Sequence, residues 1–386
     1  MKIAFVCPDD LSTVIFAKSF LKRIRTYGNV EGYTISPVKM NYIDQLQGLV
    51  ARHFEVAMER YVSPVADMES FFRLWRIFRR ERFDIVINFT TKPNLLGALA
   101  ARLAGVNKVV CAVRGLGGAF LPQKTIKGFF LQYLVKILYR LAALISDRVW
   151  FTNQGDWEYF LNHRLVSPEK IVRTTNALDI NEYSFDSISD DDLRRLRGEF
   201  GYGETEPVVV MVARMIFSKG VMEFIEAADY VSRRRPEIRF LLVAPLEEGH
   251  PDAIPASFLE ERSLPGNFQW VKFRKDIKNV YAMSDLAVLP SYYNEGGYPR
   301  ALLEPMAFGK PVITTDLPQC RGPVEEGKNG YLVPPRDARA LGEAILRVFE
   351  NGEKRRAMGR YSRQLIEERF DDRRVVDKIL LELGVG

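Results

Sequence analysis

Short runs of β-branched and aliphatic residues recur along this chain, and a stretch of helical period follows nearly every one. In the first half the runs are 3–7, 84–89, 108–113, 148–152 and 171–173, with helices expected over 95–104 and 127–145. In the second half 208–213, 240–244, 268–273, 286–289 and 312–315 alternate with helices over 221–234, 299–308 and 339–349. Continuous apolar strands separated by helices are strands covered on both faces, so the pattern predicts parallel sheets between helical layers. The segment 184–206 (SFDSISDDDLRRLRGEFGYGETE) is polar and separates the two halves, which places a domain boundary there. A length of 386 residues fits two to three domains at roughly 150 residues each. The expected fold is α/β, two Rossmann-like domains facing a central cleft, with ligands outside the carboxyl ends of the strands. A last helical segment at 369–383 is free to pack on either domain.

Composition removes several classes. The charge balance of 55 basic against 49 acidic residues permits an anionic partner but selects none. The basic residues are scattered over many helices, so no nucleic acid is expected as a partner. Cys7, Cys111 and Cys320 stand apart, which argues against a disulfide framework and for a reducing compartment. The three histidines form no His-Glu-x-x-His pair, and no metal or cofactor is expected. His53 lies in a helical-looking pattern (LVARHFEVAM), and no histidine has a visible Ser or Asp partner for a triad. The absence of Gly-x-Gly-x-x-Gly after 3–7 argues against a dinucleotide oxidoreductase. The first apolar run is too short for a signal peptide, and Lys136 and Arg140 interrupt the longest one, 129–145. A cytoplasmic protein, free or peripheral on the membrane, is the expectation.

Two stretches carry chemistry. In 208–220 (VVVMVARMIFSKG) a buried strand ends at Arg214, and Lys219-Gly220 precedes a helix, so two cations sit over strand ends where they can neutralise a diphosphate. In 291–316 (SYYNEGGYPRALLEPMAFGKPVITTD) a glycine turn leads into a helix begun by Pro299 and stopped at Gly309. Glycines allow close backbone approach, and the helix start offers unpaired N–H groups. Glu304 lies one turn past Arg300 on the same face, where its carboxylate can take sugar hydroxyls or simply pair with Arg300. The acids at 190–192 read as the start of a helix, not as a metal motif.

Together these stretches resemble the retaining GT-B glycosyltransferases that use nucleotide-diphosphate sugars, in particular the subgroup acting on polyprenyl-diphosphate-linked sugars. The resemblance rests on Arg214, Lys219 and Gly220, on Glu295-Gly296-Gly297, and on the run from Leu302 to Ile313. Pro299-Arg300, the stretch 314–334, TKPNLLGALAARLAG (91–105) and VRGLGGAF (113–120) carry the subgroup pattern. It implies an acceptor-binding domain over 1–185, a linker at 186–206, a nucleotide-sugar-binding domain over 207–368, and a C-terminal helix at 369–386 that packs back on the N-terminal domain. It implies catalytic roles for Arg214, Lys219 and Glu295. Donor contacts would come from Gly296, Gly297, Arg300 and Glu304, with Arg274 and Ile277 flanking the base. Arg114, Gly115, Gly117 and Gly118 would bind acceptor phosphate. The implied reaction moves a hexose-type sugar from a nucleotide-diphosphate sugar, with UDP as the expected nucleotide, to a lipid-linked saccharide, with retention and without a metal. Two departures stand out. Eight residues lie between Glu295 and Glu304 where the family has seven, and Arg114 stands where the family often has histidine. An arginine cannot act as a general base. These departures leave a non-catalytic nucleotide-sugar-binding partner of another transferase as the alternative.

Two helices are candidates for a membrane surface. In 71–83 (FFRLWRIFRRERF) Phe71, Leu74, Trp75 and Phe78 share one face, and the arginines lie largely elsewhere. A face of that kind more often covers a sheet. In 124–140 the residues Phe129, Phe130, Tyr133 and Ile137 exceed what a covering helix needs, with Lys124, Lys127, Lys136 and Arg140 beside them.

Overall fold

The computed structural model describes residues 1–59, 63–116, 126–247, 249–260, 266–293, 295 and 297–385. They form two compact units, one of 1–175 with 372–386 and one of 176–371.

The first unit holds seven parallel strands: β1 (Lys2–Val6), β2 (Glu31–Ser36), β3 (Arg52–Glu55), β4 (Ile85–Phe89), β5 (Lys108–Val113), β6 (Arg148–Phe151) and β7 (Ile171–Arg173). Their order is β3-β2-β1-β4-β5-β6-β7, with Ile3 opposite both Gly32 and Ile85. β1, β4 and β5 are buried along almost their whole length, as unbroken apolar runs require. Apolar cores lie on both sheet faces. β2 (EGYTIS) carries Gly, Thr and Ser, and its pattern is not apolar enough to read as a strand, yet five of its six residues are buried. His53 is in the edge strand β3 and not in a helix. Only Phe54 of that strand is buried, too little for a periodicity to register, and the His53 ring Nδ1 meets Thr34 Oγ1 at 3.0 Å.

The two candidate surface helices differ. In helix Pro64–Glu81, Leu74 and Phe78 are fully buried, and Phe71 and Trp75 pack partly buried on the same core. Its apolar face therefore covers the sheet. Helix Ile126–Ile145 buries Val135, Tyr139, Ala142 and Ala143, one helical stripe. Elsewhere it exposes Phe129 (59%), Phe130 (70%), Tyr133 (65%), Leu141 and Leu144. Its stretch Gly128–Ile145 is long and apolar enough to cross a membrane by length and composition. Lys124, and the side chain of Lys127, lie outside the described residues. The last carbonyls of this helix are satisfied by two cations. Lys170 Nζ donates to Ala143 O, Leu144 O and Ser146 O, and Arg102 Nε to Ile145 O. The terminal helix Asp372–Glu382 belongs to this unit, with Val376, Ile379, Leu380, Leu383 and Val385 in its core.

The second unit repeats the topology. Its strands are β8 (Val208–Val212), β9 (Arg239–Val243), β10 (Phe268–Val271), β11 (Leu286–Leu289), β12 (Val312–Thr315) and β13 (Gly330–Val333), all parallel, in the order β10-β9-β8-β11-β12-β13. The expected boundary at 186–206 is corrected: residues 176–206 are part of this unit. The acids at 190–192 do begin a helix, Asp190–Glu199, capped by Ser189, whose Oγ accepts from Asp192 N–H. That helix is polar on most of its circumference, which hid a narrow stripe: Leu196, then Phe200 and Tyr202, are buried in the core. The stretches entering and leaving the unit are paired, Leu178 N–H donating to Phe370 O at 2.8 Å.

Candidate functional site

In a doubly wound sheet the strand order reverses at one point, and the crevice there lies outside the carboxyl ends of two strands whose connections run to opposite sides. In the second unit that point is between β8 and β11. The two motif stretches leave the carboxyl ends of those two strands. Lys219 and Glu295, 76 positions apart in sequence, are thereby brought together.

The loops are zipped by backbone. Tyr292 N–H donates to Ser218 O at 2.8 Å, and the turn Phe217–Lys219 closes on Gly220 with φ +80°. A Cβ at Gly220 would stand 2.2 Å from Pro290 O, so both the backbone conformation and the approach require glycine. On this scaffold Lys219 Nζ meets Glu295 Oε1 at 2.5 Å, and Ser291 Oγ donates to the same oxygen at 2.8 Å. Both partners of the ion pair are nearly buried. The Glu295 carboxylate thus stands against Lys219, nine positions before Glu304. Arg214 Nη1 lies 3.9 Å from Glu247 Oε1. Tyr293, which sequence reasoning passed over, lies beside both cations: Arg214 Cζ is 5.1 Å and Lys219 Nζ 5.0 Å from its ring centre. Gly297 has φ +128°, and Gly296 lies outside the described residues.

A second cluster surrounds helix Arg300–Ala307. Arg300 and Glu304 do pair, Nε to Oε1 at 2.8 Å, as their one-turn spacing allows. The hydroxyl of Tyr183 joins them, donating to Glu304 Oε1 (3.2 Å) and accepting from Arg300 Nη2 (3.0 Å). Burial, then the Glu304 carboxylate, push that phenol well above its ordinary range, so it stays a neutral donor. Tyr183 was missed because it sits in a stretch read as the end of the first domain. Asn176 Nδ2 donates to Tyr298 O and fixes the turn before this helix. Arg363 Nη1 donates to Ala307 O at the helix end and to Tyr183 O. Arg274 is turned to carboxylates: Nη1 lies 2.5 Å from Glu199 Oε1 and Nη2 2.7 Å from Asp276 Oδ2. Ile277, three residues on, opens helix Ile277–Met283.

In the first unit the order reverses between β1 and β4. Arg114 follows the neighbouring strand β5. Its Cζ lies 4.7 Å from the ring centre of Phe16 and 5.2 Å from that of Trp150, so the guanidinium is packed on aromatic faces. Gly115 has φ +121° and its N–H donates to Asp156, a carboxylate the sequence did not single out. Asp156 also accepts from Asn153 Nδ2 at 2.7 Å. Burial pushes its pKa up to about 6 against these hydrogen bonds. Gly117 and Gly118 lie outside the described residues. Asp10, fully buried at the start of helix Asp10–Ile24, accepts from Met40 and Tyr42 N–H and holds the loop after β2.

Two doubly wound parallel-sheet units, one presenting two cations, a carboxylate and a glycine turn at its switch point, have the GT-B architecture. The second unit is similar to the glycosyl transferases of group 1. That family's model matches residues 193–365, and the glycosyl transferase 4-like model matches 29–148. Among curated relatives it is 28% identical, over 87% of its length and 84% of the other's, to the Escherichia coli UDP-Gal:alpha-D-GlcNAc-diphosphoundecaprenol alpha-1,3-galactosyltransferase. It is 24% identical, over 91% and 90%, to the Campylobacter jejuni N,N'-diacetylbacillosaminyl-diphospho-undecaprenol alpha-1,3-N-acetylgalactosaminyltransferase. Among solved structures the fold matches Anabaena Alr3699/HepE in complex with UDP and glucose, at TM-score 0.79 and 20% identity, over 100% of this chain and 99% of that one.

Proposed function

We propose that this glycosyltransferase moves a hexose-type sugar from a nucleotide-diphosphate sugar, a UDP-sugar first among them, to a hydroxyl of a polyprenyl-diphosphate-linked saccharide in glycan assembly. The observation that carries the reading is the meeting of Arg214, Lys219 and Glu295 at the switch point of the second unit. The acceptors named for the E. coli and C. jejuni relatives support the lipid-linked saccharide.

In this reading Lys219 and Arg214 hold the donor diphosphate and neutralise the charge that grows as it leaves. Glu295 lines the sugar, and Glu304, held by Arg300 and Tyr183, takes the ribose hydroxyls. The acceptor hydroxyl attacks the anomeric carbon on the face the diphosphate departs from. The bond to the leaving phosphate oxygen breaks, the new glycosidic bond forms with retention, and that phosphate oxygen receives the hydroxyl proton. The chain supplies positioning and charge, without a metal. Arg114 takes acceptor phosphate, in a loop that the Gly115 N–H ties to Asp156. The exposed face of helix Ile126–Ile145 lies on the cytoplasmic membrane surface that carries such an acceptor. One stripe of that helix is used by the sheet, so it rests in the interface and does not span.

The test is thermal stability with UDP and with GDP, for the wild type and Lys219→Ala. A diphosphate at 100 times its Kd stabilises the folded chain by about 2.7 kcal/mol. The expected result is a shift with UDP that shrinks in Lys219→Ala, with kcat/KM falling at least about 100-fold. A shift with GDP in place of UDP changes the donor. No shift with either, or turnover that survives Lys219→Ala, overturns the reading.

A further inference from the structure

Arg214 and Lys219 each meet a carboxylate, Glu247 at 3.9 Å and Glu295 at 2.5 Å, and both also lie against one aromatic ring. Arg214 comes from the loop after β8, Lys219 from the turn that follows, and neither belongs to a strand or long helix that would fix its head group. Tyr293 is the group they share. Its ring centre lies 5.1 Å from Arg214 Cζ and 5.0 Å from Lys219 Nζ. Its backbone is fastened at both ends: the N–H donates to Ser291 Oγ at 3.2 Å, and the carbonyl accepts from Gln319 Nε2 at 3.2 Å. The same Ser291 hydroxyl donates to Glu295. One serine therefore sets both the ring and the carboxylate that Lys219 meets.

We propose that Tyr293 is the positioning residue for the donor diphosphate, its ring face attracting Arg214 and Lys219 and holding both head groups where the phosphates bind. The inference rests on the donor reading above. An aromatic ring carries negative charge on its face, so it attracts a cation without neutralising it, whereas a carboxylate in the same place would also repel the phosphates. The ring holds the two cations without adding a negative charge to those of Glu247 and Glu295. Its hydroxyl takes no part in this, so phenylalanine should serve equally well.

The experiment measures affinity for UDP and for uridine by calorimetry, with GDP and guanosine in their place if the wild type takes those. Each cation–ring contact at a part-exposed site is worth roughly 2- to 5-fold in affinity. Tyr293→Leu is expected to weaken UDP about tenfold, which is about 1.4 kcal/mol, and to leave uridine within about twofold. Tyr293→Phe is expected to match the wild type on both. Pentafluorophenylalanine at 293 keeps the shape of the ring and reverses its face charge. It should weaken UDP at least as much as leucine does, and it decides the matter if the leucine variant does not fold. UDP affinity unchanged in the leucine or pentafluorophenylalanine protein overturns the proposal, as does equal weakening of UDP and uridine. A wild type that binds neither UDP nor GDP overturns the donor reading itself, a result distinct from either.

Discussion

Asp156 has a fold-wide consequence out of proportion to its size. It is 2% exposed, and its carboxyl holds the Gly115 N–H beside Arg114. Burial raises its folded pKa to about 6, above the ordinary 3.8 of an aspartate. The folded chain therefore binds more protons than the unfolded one between about pH 4 and 6. The contribution of this group to stability is most favourable below that window and is lost as pH rises through it. Asp156→Asn removes the titration. Relative to wild type, the variant is expected to gain stability between pH 4 and pH 7.5, by on the order of 3 kcal/mol at the full shift, measured by urea unfolding at the two pH values. A difference that does not change with pH would show that Asp156 does not titrate as its burial dictates. Tyr183 and Tyr293 make the same point at this scale. Each is unremarkable in sequence, and each acquires its meaning from cations and carboxylates contributed by distant segments.

At the scale of elements, helix Ile126–Ile145 is the one whose composition exceeds its structural need. Val135, Tyr139, Ala142 and Ala143 cover the sheet, while Phe129, Phe130 and Tyr133 stand in solvent. Exposed aromatics on a helix with Lys136 and Arg140 nearby fit the boundary of an anionic lipid surface. Replacing Phe129, Phe130 and Tyr133 together by serine leaves the buried stripe intact. Binding to vesicles containing anionic lipid is expected to fall at least roughly tenfold, since each aromatic that enters the interface is worth on the order of 1 kcal/mol or more. The melting temperature should hardly move. Vesicle sedimentation that is equal for wild type and variant would remove this helix from the membrane reading. The contrast with helix Pro64–Glu81 is instructive. Its arginine-rich sequence looks equally suited to lipid, but Leu74 and Phe78 are fully buried, and Phe71 and Trp75 pack on the same core.

At the scale of the molecule, the chain crosses from the first unit to the second after Thr175 and returns at Asp372. The returning segment is a structural member of the first unit: Val376, Ile379 and Leu380 of its helix, and Leu383 and Val385 after it, lie in that core, and Lys108 Nζ donates to Leu383 O. A chain ending at 371 loses this layer. Truncation is expected to destabilise the first unit by several kcal/mol, at about 1.5–3 kcal/mol for each buried apolar side chain before the ordering cost is subtracted. Hydrogen exchange should show faster opening in 1–175 and unchanged protection in 208–315. Unchanged exchange in the first unit would mean that the terminal helix only lies on the surface.

The sequence by itself determined the alternation of strand and helix, the parallel sheets, and the two stretches that leave β8 and β11 with their cations and glycines. These are local properties: the apolar run, the helix stop at Gly309 and the turn at Lys219-Gly220 are legible because neighbours in sequence create them. Strands β2, β3 and β13, the membership of 176–206 in the second unit, and the exposed face of helix Ile126–Ile145 were decided by tertiary structure. Burial of β2 depends on sheets and helices far along the chain, and Leu196 is a core residue only because a distant surface receives it. The same holds at the site. Arg300 and Glu304 could be paired from their spacing, but Tyr183 reaches them, and Tyr293 reaches Arg214 and Lys219, only once the strand order has brought their loops to one edge. Local periodicity records what a segment can become, and packing between remote segments decides what each side chain touches.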